Sequence, residues 1–221
     1  MKIKVCGMTD MEQLRQLSDI GVDFAGFIFY PKSPRFVSRH GLLGADVKKA
    51  KLKVYKIGVF VDASYDEVMR QVSAFGLDMV QLHGHETPYE CSKLANNIHV
   101  IKAFRFMDND HVGWMIKDYY NDADMFLFDT GVNMPKVNGD EKLYGGTGRK
   151  FNWNRLKGMQ IDKPFFLSGG IEPGDAGIVK EFMSDPVAKD LFVVDINSRF
   201  EQSPGIKDME KVKQFVTEIN S

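Results

Sequence analysis

The chain opens with Lys2-Ile3-Lys4-Val5-Cys6-Gly7-Met8-Thr9-Asp10, a stretch that reads as a strand, a tight turn and a helix start. Polar and apolar side chains alternate up to Cys6, and Gly7 ends the alternation. Thr9 and Glu12 stand at capping-box spacing. Met11, Leu14, Leu17 and Ile20 then fall on one face of a helix over 10–20, and Gly21 stops it. The same unit recurs along the chain. Residues 24–30 are an unbroken apolar run, as a strand buried on both faces requires. A loop with Pro31 and Pro34 leads to a weaker helix over 45–51. Strand 54–61 precedes a helix opened by Ser64 and Glu67 and ending near Phe75. Strand 79–82 ends at His83-Gly84 and precedes a helix opened by Thr87 and Glu90. Strand 98–104 leads to helix 110–120, and strand 125–128 ends at Asp129. A polar, glycine-bearing stretch over 130–147 precedes a short helix at 153–157. Strand 165–167 ends at Ser168-Gly169-Gly170 before helix 175–183, and strand 191–194 ends at Asp195, with a last helix over 208–219.

These eight β-then-α units have no linker or composition break between them, which predicts parallel strands joined by helices. In 221 residues they favour one closed (β/α)8 TIM barrel, a single domain over 1–221, above an open doubly wound sheet. A hydrophobic share of 43% suffices for a sizeable core. The formal net charge of -1 gives no overall field toward nucleic acid or an anionic membrane, so neither is expected as a partner. Cys6 and Cys91 are far apart and in no C-x-x-C pattern, so no disulfide framework or structural zinc site is expected. With no apolar leader and no run of membrane-spanning length, a reducing cytoplasm is the expected location.

In a parallel barrel, chemistry sits at the C-terminal ends of the strands. Those ends carry Cys6, Arg35, Asp62, His83, Arg105, Asp129, Gly169-Gly170 and Asp195. Glycines let the backbone approach a ligand, and amides at a helix start favour an anion. Gly145-Gly146-Thr147-Gly148, Ser168-Gly169-Gly170 and Asp195-Ile196-Asn197-Ser198 are therefore expected to form a phosphate cup. A thiol after strand one and a carboxyl after strand six can address opposite sides of one small substrate and transfer protons without a cofactor. Taken alone, each has a plainer reading: a lone cysteine is more often packing, an isolated aspartate a cap, and His83 a polar core residue. A metal site would need further histidines at strand ends, which His40, His85, His99 and His111 do not supply. Arg35, on the stiff Ser33-Pro34-Arg35 loop, can present its guanidinium to a carboxylate.

At these residues the chain resembles the phosphoribosylanthranilate isomerase family of tryptophan biosynthesis. The resemblance is carried by Lys4-Val5-Cys6-Gly7-Met8-Thr9, residues 29–35, Gly58-Val59-Phe60, Val80-Gln81-Leu82-His83-Gly84 and Phe128-Asp129-Thr130. It continues through 145–148 with Phe151 and Trp153, residues 166–171, and Asp195 to Ser198 with Pro204-Gly205. It implies an Amadori rearrangement with Asp129 as general acid and Cys6, as thiolate, as general base. Arg35 would hold the anthranilate carboxylate, and Gln81, His83, Gly145, Gly146, Gly169, Gly170, Asp195, Asn197 and Ser198 would line the substrate site. No metal or organic cofactor is implied; the substrate is a small phosphorylated molecule, and the protein a monomer or homodimer. Positive potential from helix N-termini is expected to lower the Cys6 pKa. Two residues depart from the family pattern: Arg199 stands at a usual glycine, either touching phosphate or pointing outward, and Asn152 replaces an aspartate. The competing readings are a ribulose-phosphate-epimerase-like metalloenzyme and a non-catalytic phosphometabolite-binding barrel.

Overall fold

Short apolar strands that alternate with amphipathic helices bury both sheet faces either in an open sheet with helices on each side or in a closed sheet with the helices wrapped outside. The computed structural model describes residues 1–106, 110–130 and 153–221. Its strands β1 (Lys2–Cys6), β2 (Phe24–Ile28), β3 (Tyr55–Phe60), β4 (Met79–Leu82), β5 (His99–Phe106), β6 (Met125–Thr130), β7 (Phe165–Leu167) and β8 (Leu191–Ile196) form a closed barrel in sequence order. Every neighbouring pair is parallel, and β8 closes on β1 with Lys4 opposite Asp195. The described helices are α1 (Met11–Ile20), α2 (Gly44–Lys49), α3 (Tyr65–Phe75), α4 (Pro88–Ala95), α5 (Val112–Ile116), α6 (Ala176–Met183) and α7 (Met209–Asn220). The barrel fold expected from the repeated units is the fold observed.

Local chemistry explains most helix ends. Thr87 and Glu90 form both arms of the capping box of α4, and Gly21 and Gly76 end α1 and α3 in the left-handed region at φ 86 and 61. Ser64 caps α3 by accepting from the Glu67 amide. The start of α1 differs from expectation. Asp10 is its cap, accepting from the Gln13 amide at 2.9 Å, while the Thr9 hydroxyl donates to the Gly205 carbonyl at 2.6 Å. The predicted helix over 110–120 divides into α5 and a 3-10 turn at Lys117–Tyr119. There the Tyr119 and Tyr120 hydroxyls donate to the Glu86 and Ile161 carbonyls, tertiary contacts that helical periodicity does not announce.

Strands β5, β6 and β8 run further than expected, so Arg105, Asp129 and Asp195 lie within strands rather than after them. A polar residue inside a barrel strand ends the apolar run in sequence but not the backbone ladder, because its side chain turns toward the mouth. Inside the barrel, Phe24, Ile57, Ile101, Ala103, Leu127, Phe166 and Val193 form an apolar layer of their own. Lys4, Gln81 and Asp195, which are buried and polar, form a second interior group.

Gly26 of β2 makes room for that group. It pairs in register with Cys6, and a Cβ there would stand 2.9 Å from Cys6 Sγ, 3.0 Å from Cys6 Cα and 3.1 Å from Lys4 Cε. Backbone cannot yield as a side-chain tip does. Gly26→Ala is therefore expected to cost about 1–3 kcal/mol by overpacking. Urea unfolding measures it, and unchanged stability would mean that the interior tolerates the methyl.

Candidate active site

Residues two apart on a strand share a face, so Lys4 points into the barrel with Cys6. The Lys4 side chain is fully buried. A buried ammonium needs acceptors for its donors. Lys4 Nζ donates to Gln81 Oε1 at 2.6 Å and to Asp195 Oδ2 at 2.9 Å, and its charge acts on the neighbouring Cys6 thiol. Burial alone would lower the Lys4 pKa, but Asp195 and Cys6 outweigh it and hold it above the ordinary 10.5. It is a fixed positive charge. Cys6 goes the other way from expectation. Burial pushes the thiol above its ordinary 9.0, and the nearby ammoniums of Lys4 and Lys207 counter this only in part. Desolvation at the strand tip outweighs the two ammoniums.

The chain of contacts continues from Gln81. Its Nε2 lies 2.7 Å from His83 Nδ1, and His83 Nε2 lies 3.3 Å from Asp129 Oδ2. Gln81 is buried, and the side chains of His83 and Asp129 are each 11% exposed at the cavity edge. Arg105 fixes the other side of His83 by donating to its backbone carbonyl at 3.0 Å.

Arg35 is held by a residue that the sequence did not single out. Its Nε and Nη2 donate to both oxygens of Glu201, at 2.7–3.1 Å. Glu201 also receives Lys207 Nζ at 2.7 Å, and Lys207 donates to Asn197 Oδ1 at 2.9 Å. Glu201 and Lys207 belong to a small antiparallel ribbon beyond the barrel, β9 (Glu201–Ser203) and β10 (Ile206–Lys207). The Gln13 side chain joins Lys207 through both backbone groups, tying the ribbon to α1. The Glu201 pairing uses one edge of the guanidinium and leaves Arg35 Nη1 without a protein partner among the described residues. Lys4 could have been found by strand alternation with Cys6. Glu201 and Lys207 carry no sequence signal, because the ribbon brings them to Arg35 across more than half the chain.

After β7, Gly169 and Gly170 take φ 97 and 71, a left-handed pair that glycine adopts without strain. After β8, Asn197 and Ser198 turn into a 3-10 segment at Ser198–Phe200. Arg199 is half-exposed, with its Nε 3.4 Å from Glu172 Oε1 on the loop after β7. It thus has a carboxylate neighbour while keeping about half of its surface in solvent. Gly145, Gly146, Thr147, Phe151 and Asn152 lie outside the described residues. One cavity, with about 780 Å³ of space partly shared with solvent, is lined by Cys6, Arg35, Gln81, His83, Asp129, Gly169, Gly170, Asp195, Asn197 and Ser198. Ile28, Tyr30, Val59 and Val61 supply its apolar wall. Asp195 Oδ1, opposite the oxygen that Lys4 holds, is buried and has no partner among the described residues. Among those residues no group of three or more His, Cys, Asp or Glu could hold a metal ion.

A thiol, carboxyls, an arginine and a glycine pair that converge at the C-terminal mouth of a parallel barrel mark a (β/α)8-barrel enzyme. The family model described as N-(5'-phosphoribosyl)anthranilate (PRA) isomerase matches residues 3–218. The chain is 37% identical to the N-(5'-phosphoribosyl)anthranilate isomerase of Parabacteroides distasonis, over 99% of this chain and 93% of that one. It is 36% identical to that of Phocaeicola vulgatus, over 99% and 98%. The phosphoribosyl anthranilate isomerase structure from Thermotoga maritima superposes with a TM-score of 0.79 at 28% identity, covering 99% of this chain and 98% of that chain. A second isomerase structure, in complex with reduced 1-(o-carboxyphenylamino)-1-deoxyribulose 5-phosphate, gives 0.75 at 26% identity, with coverage of 99% and 98%. The chain belongs to the N-(5'-phosphoribosyl)anthranilate isomerase family.

The Glu201 contacts have a consequence for stability. Burial would raise its pKa, but Arg35 and Lys207 together hold the carboxyl below its ordinary 4.5. A carboxyl depressed on folding adds stability that is present above its unfolded value and lost as pH falls through the folded one. Chemical unfolding should show stability declining below about pH 4.5, with a shallower decline in Glu201→Gln. Equal slopes in the two proteins would remove Glu201 as a contributor.

Proposed function

We propose that the chain converts N-(5'-phosphoribosyl)anthranilate to 1-(o-carboxyphenylamino)-1-deoxyribulose 5-phosphate in tryptophan biosynthesis. One observation carries this reading. A single cavity gathers a thiol, a carboxyl, an arginine, the glycine pair after β7 and the Asn197-Ser198 turn after β8, in a chain that matches isomerases over nearly its whole length. Asp129 gives a proton to the furanose ring oxygen, and the ring opens to an iminium. Cys6, as thiolate, takes the C2' proton, and the resulting enolamine tautomerises to the ketone. The redox balance is internal, so no external oxidant or reductant is needed. Arg35 receives the anthranilate carboxylate on the edge that Glu201 leaves open, while the apolar wall takes the aromatic ring. The Gly169 and Gly170 amides and the Asn197-Ser198 turn receive the phosphate. Asp195 Oδ1, buried and unpartnered among the described residues, accepts from a sugar hydroxyl. No helix among the described residues is long and apolar enough to cross a membrane. A cytoplasmic, one-domain chain over 1–221, acting as a monomer or homodimer, belongs to the same proposal.

The test is a fluorescence assay that follows loss of phosphoribosylanthranilate. Cys6→Ala and Asp129→Asn should each lose about 10²–10⁴ in kcat while remaining folded. Because burial sets Cys6 above 9.0, kcat/KM should still be climbing at pH 9 along the limb that reports the base. A Cys6→Ala protein with near-wild-type turnover would remove the thiolate from the mechanism.

A further inference from the structure

The contacts from Lys4 to Asp129 leave only one arrangement of protons. An amide oxygen and nitrogen look alike in shape, so the orientation of Gln81 must come from its neighbours. Lys4 has donors and no acceptor, so the Gln81 atom 2.6 Å from Nζ is the carbonyl oxygen. The Gln81 amide group therefore faces His83 Nδ1 at 2.7 Å, and an NH2 group can only donate. His83 Nδ1 must be the accepting nitrogen, which places the ring proton on Nε2. That Nε2 is buried, has no aligned partner among the described residues, and stands 3.3 Å from Asp129 Oδ2. Catalytic hydrogen bonds are often long in a free enzyme and shorten once charge develops.

We propose that Lys4 and Gln81 are positioning residues that fix His83 as its Nε2–H tautomer, so that His83 donates a hydrogen bond to the Asp129 carboxylate as it forms. This role for His83 depends on Asp129 being the general acid. When Asp129 gives its proton to the ring oxygen, a carboxylate appears at a nearly buried site. A donor already aimed at it stabilises the product side of that transfer without reorganisation. The opposite tautomer would turn a lone pair toward the new charge. The contacts thus pass a fixed orientation from the ammonium on β1, through β4, to the acid on β6. They also give His83 a role other than touching substrate.

Gln81→Glu tests this with almost no change of shape. Its carboxylate would keep the Lys4 contact with one oxygen and accept from His83 with the other, moving a ring proton to Nδ1. In wild-type protein labelled with ¹⁵N-histidine, ring nitrogen shifts should report His83 with its proton on Nε2, His83→Asn providing the assignment. In Gln81→Glu, Nδ1 should carry a proton. Its kcat should fall at least about tenfold, and by more than KM changes, because the variant acts on the acid through the His83 tautomer. Gln81→Met, which removes both hydrogen bonds, should show mixed tautomers and a similar kcat loss. A wild-type ring protonated on Nδ1 overturns the proposal even if no variant folds. So does either variant with altered tautomer and unchanged kcat, or one in which KM alone rises. A wild-type protein without turnover would instead overturn the isomerase reading, and the tautomer would still be measurable.

Discussion

The ammonium of Lys4 is the interaction on which the rest of the barrel mouth depends. It is fully buried, and its two acceptors come from distant strands, Asp195 of β8 and Gln81 of β4, while its charge acts on the Cys6 thiol of its own β1. An unpaired charge at this depth would cost several kcal/mol, so the acceptors cannot be removed one at a time without penalty. Lys4 and Asp195 are also register partners where the barrel closes. The contact that closes the sheet therefore also sets the electrostatics of the thiol and orients the amide beside His83. Gly26 belongs to the same constraint, since only a missing Cβ leaves room for both the lysine stem and the cysteine.

The charge at the mouth is local. The chain has a formal net charge of -1, yet Arg35, Glu201 and Lys207 together carry one positive charge, and Lys4 and Asp195 cancel. A substrate carboxylate meets the Arg35 guanidinium at close range although the molecule has no positive field at long range. Glu201 holds the Arg35 guanidinium by one edge, so its direction is set before any ligand arrives. Such preorganisation lowers the entropy cost of binding.

The fold was legible because its signals are local. Strands such as Phe165–Leu167 and Met79–Leu82 match their apolar runs, and Gly21, Gly76 and the Thr87–Glu90 box mark helix ends at the observed positions. Cys6, Asp129 and Gly169-Gly170 were found from the rule that barrels work at the C-terminal ends of their strands. What stayed hidden depends on distant parts of the chain. Thr9 lost its capping role to Gly205, which lies 196 residues away. Glu201 reaches Arg35 across 166 residues by way of the β9–β10 ribbon. The direction of the Cys6 pKa follows from how deeply the folded mouth buries it, and spacing in a sequence does not encode burial of that kind.

A crystal structure with reduced 1-(o-carboxyphenylamino)-1-deoxyribulose 5-phosphate would reveal how substrate lies in this mouth. The phosphate should rest on the Gly169 and Gly170 amides and the Asn197-Ser198 turn, the carboxylate on Arg35, and the sugar C2' against Cys6 Sγ. A ligand bound the other way round, with phosphate on Arg35 and the aromatic ring at Gly169-Gly170, would contradict this orientation.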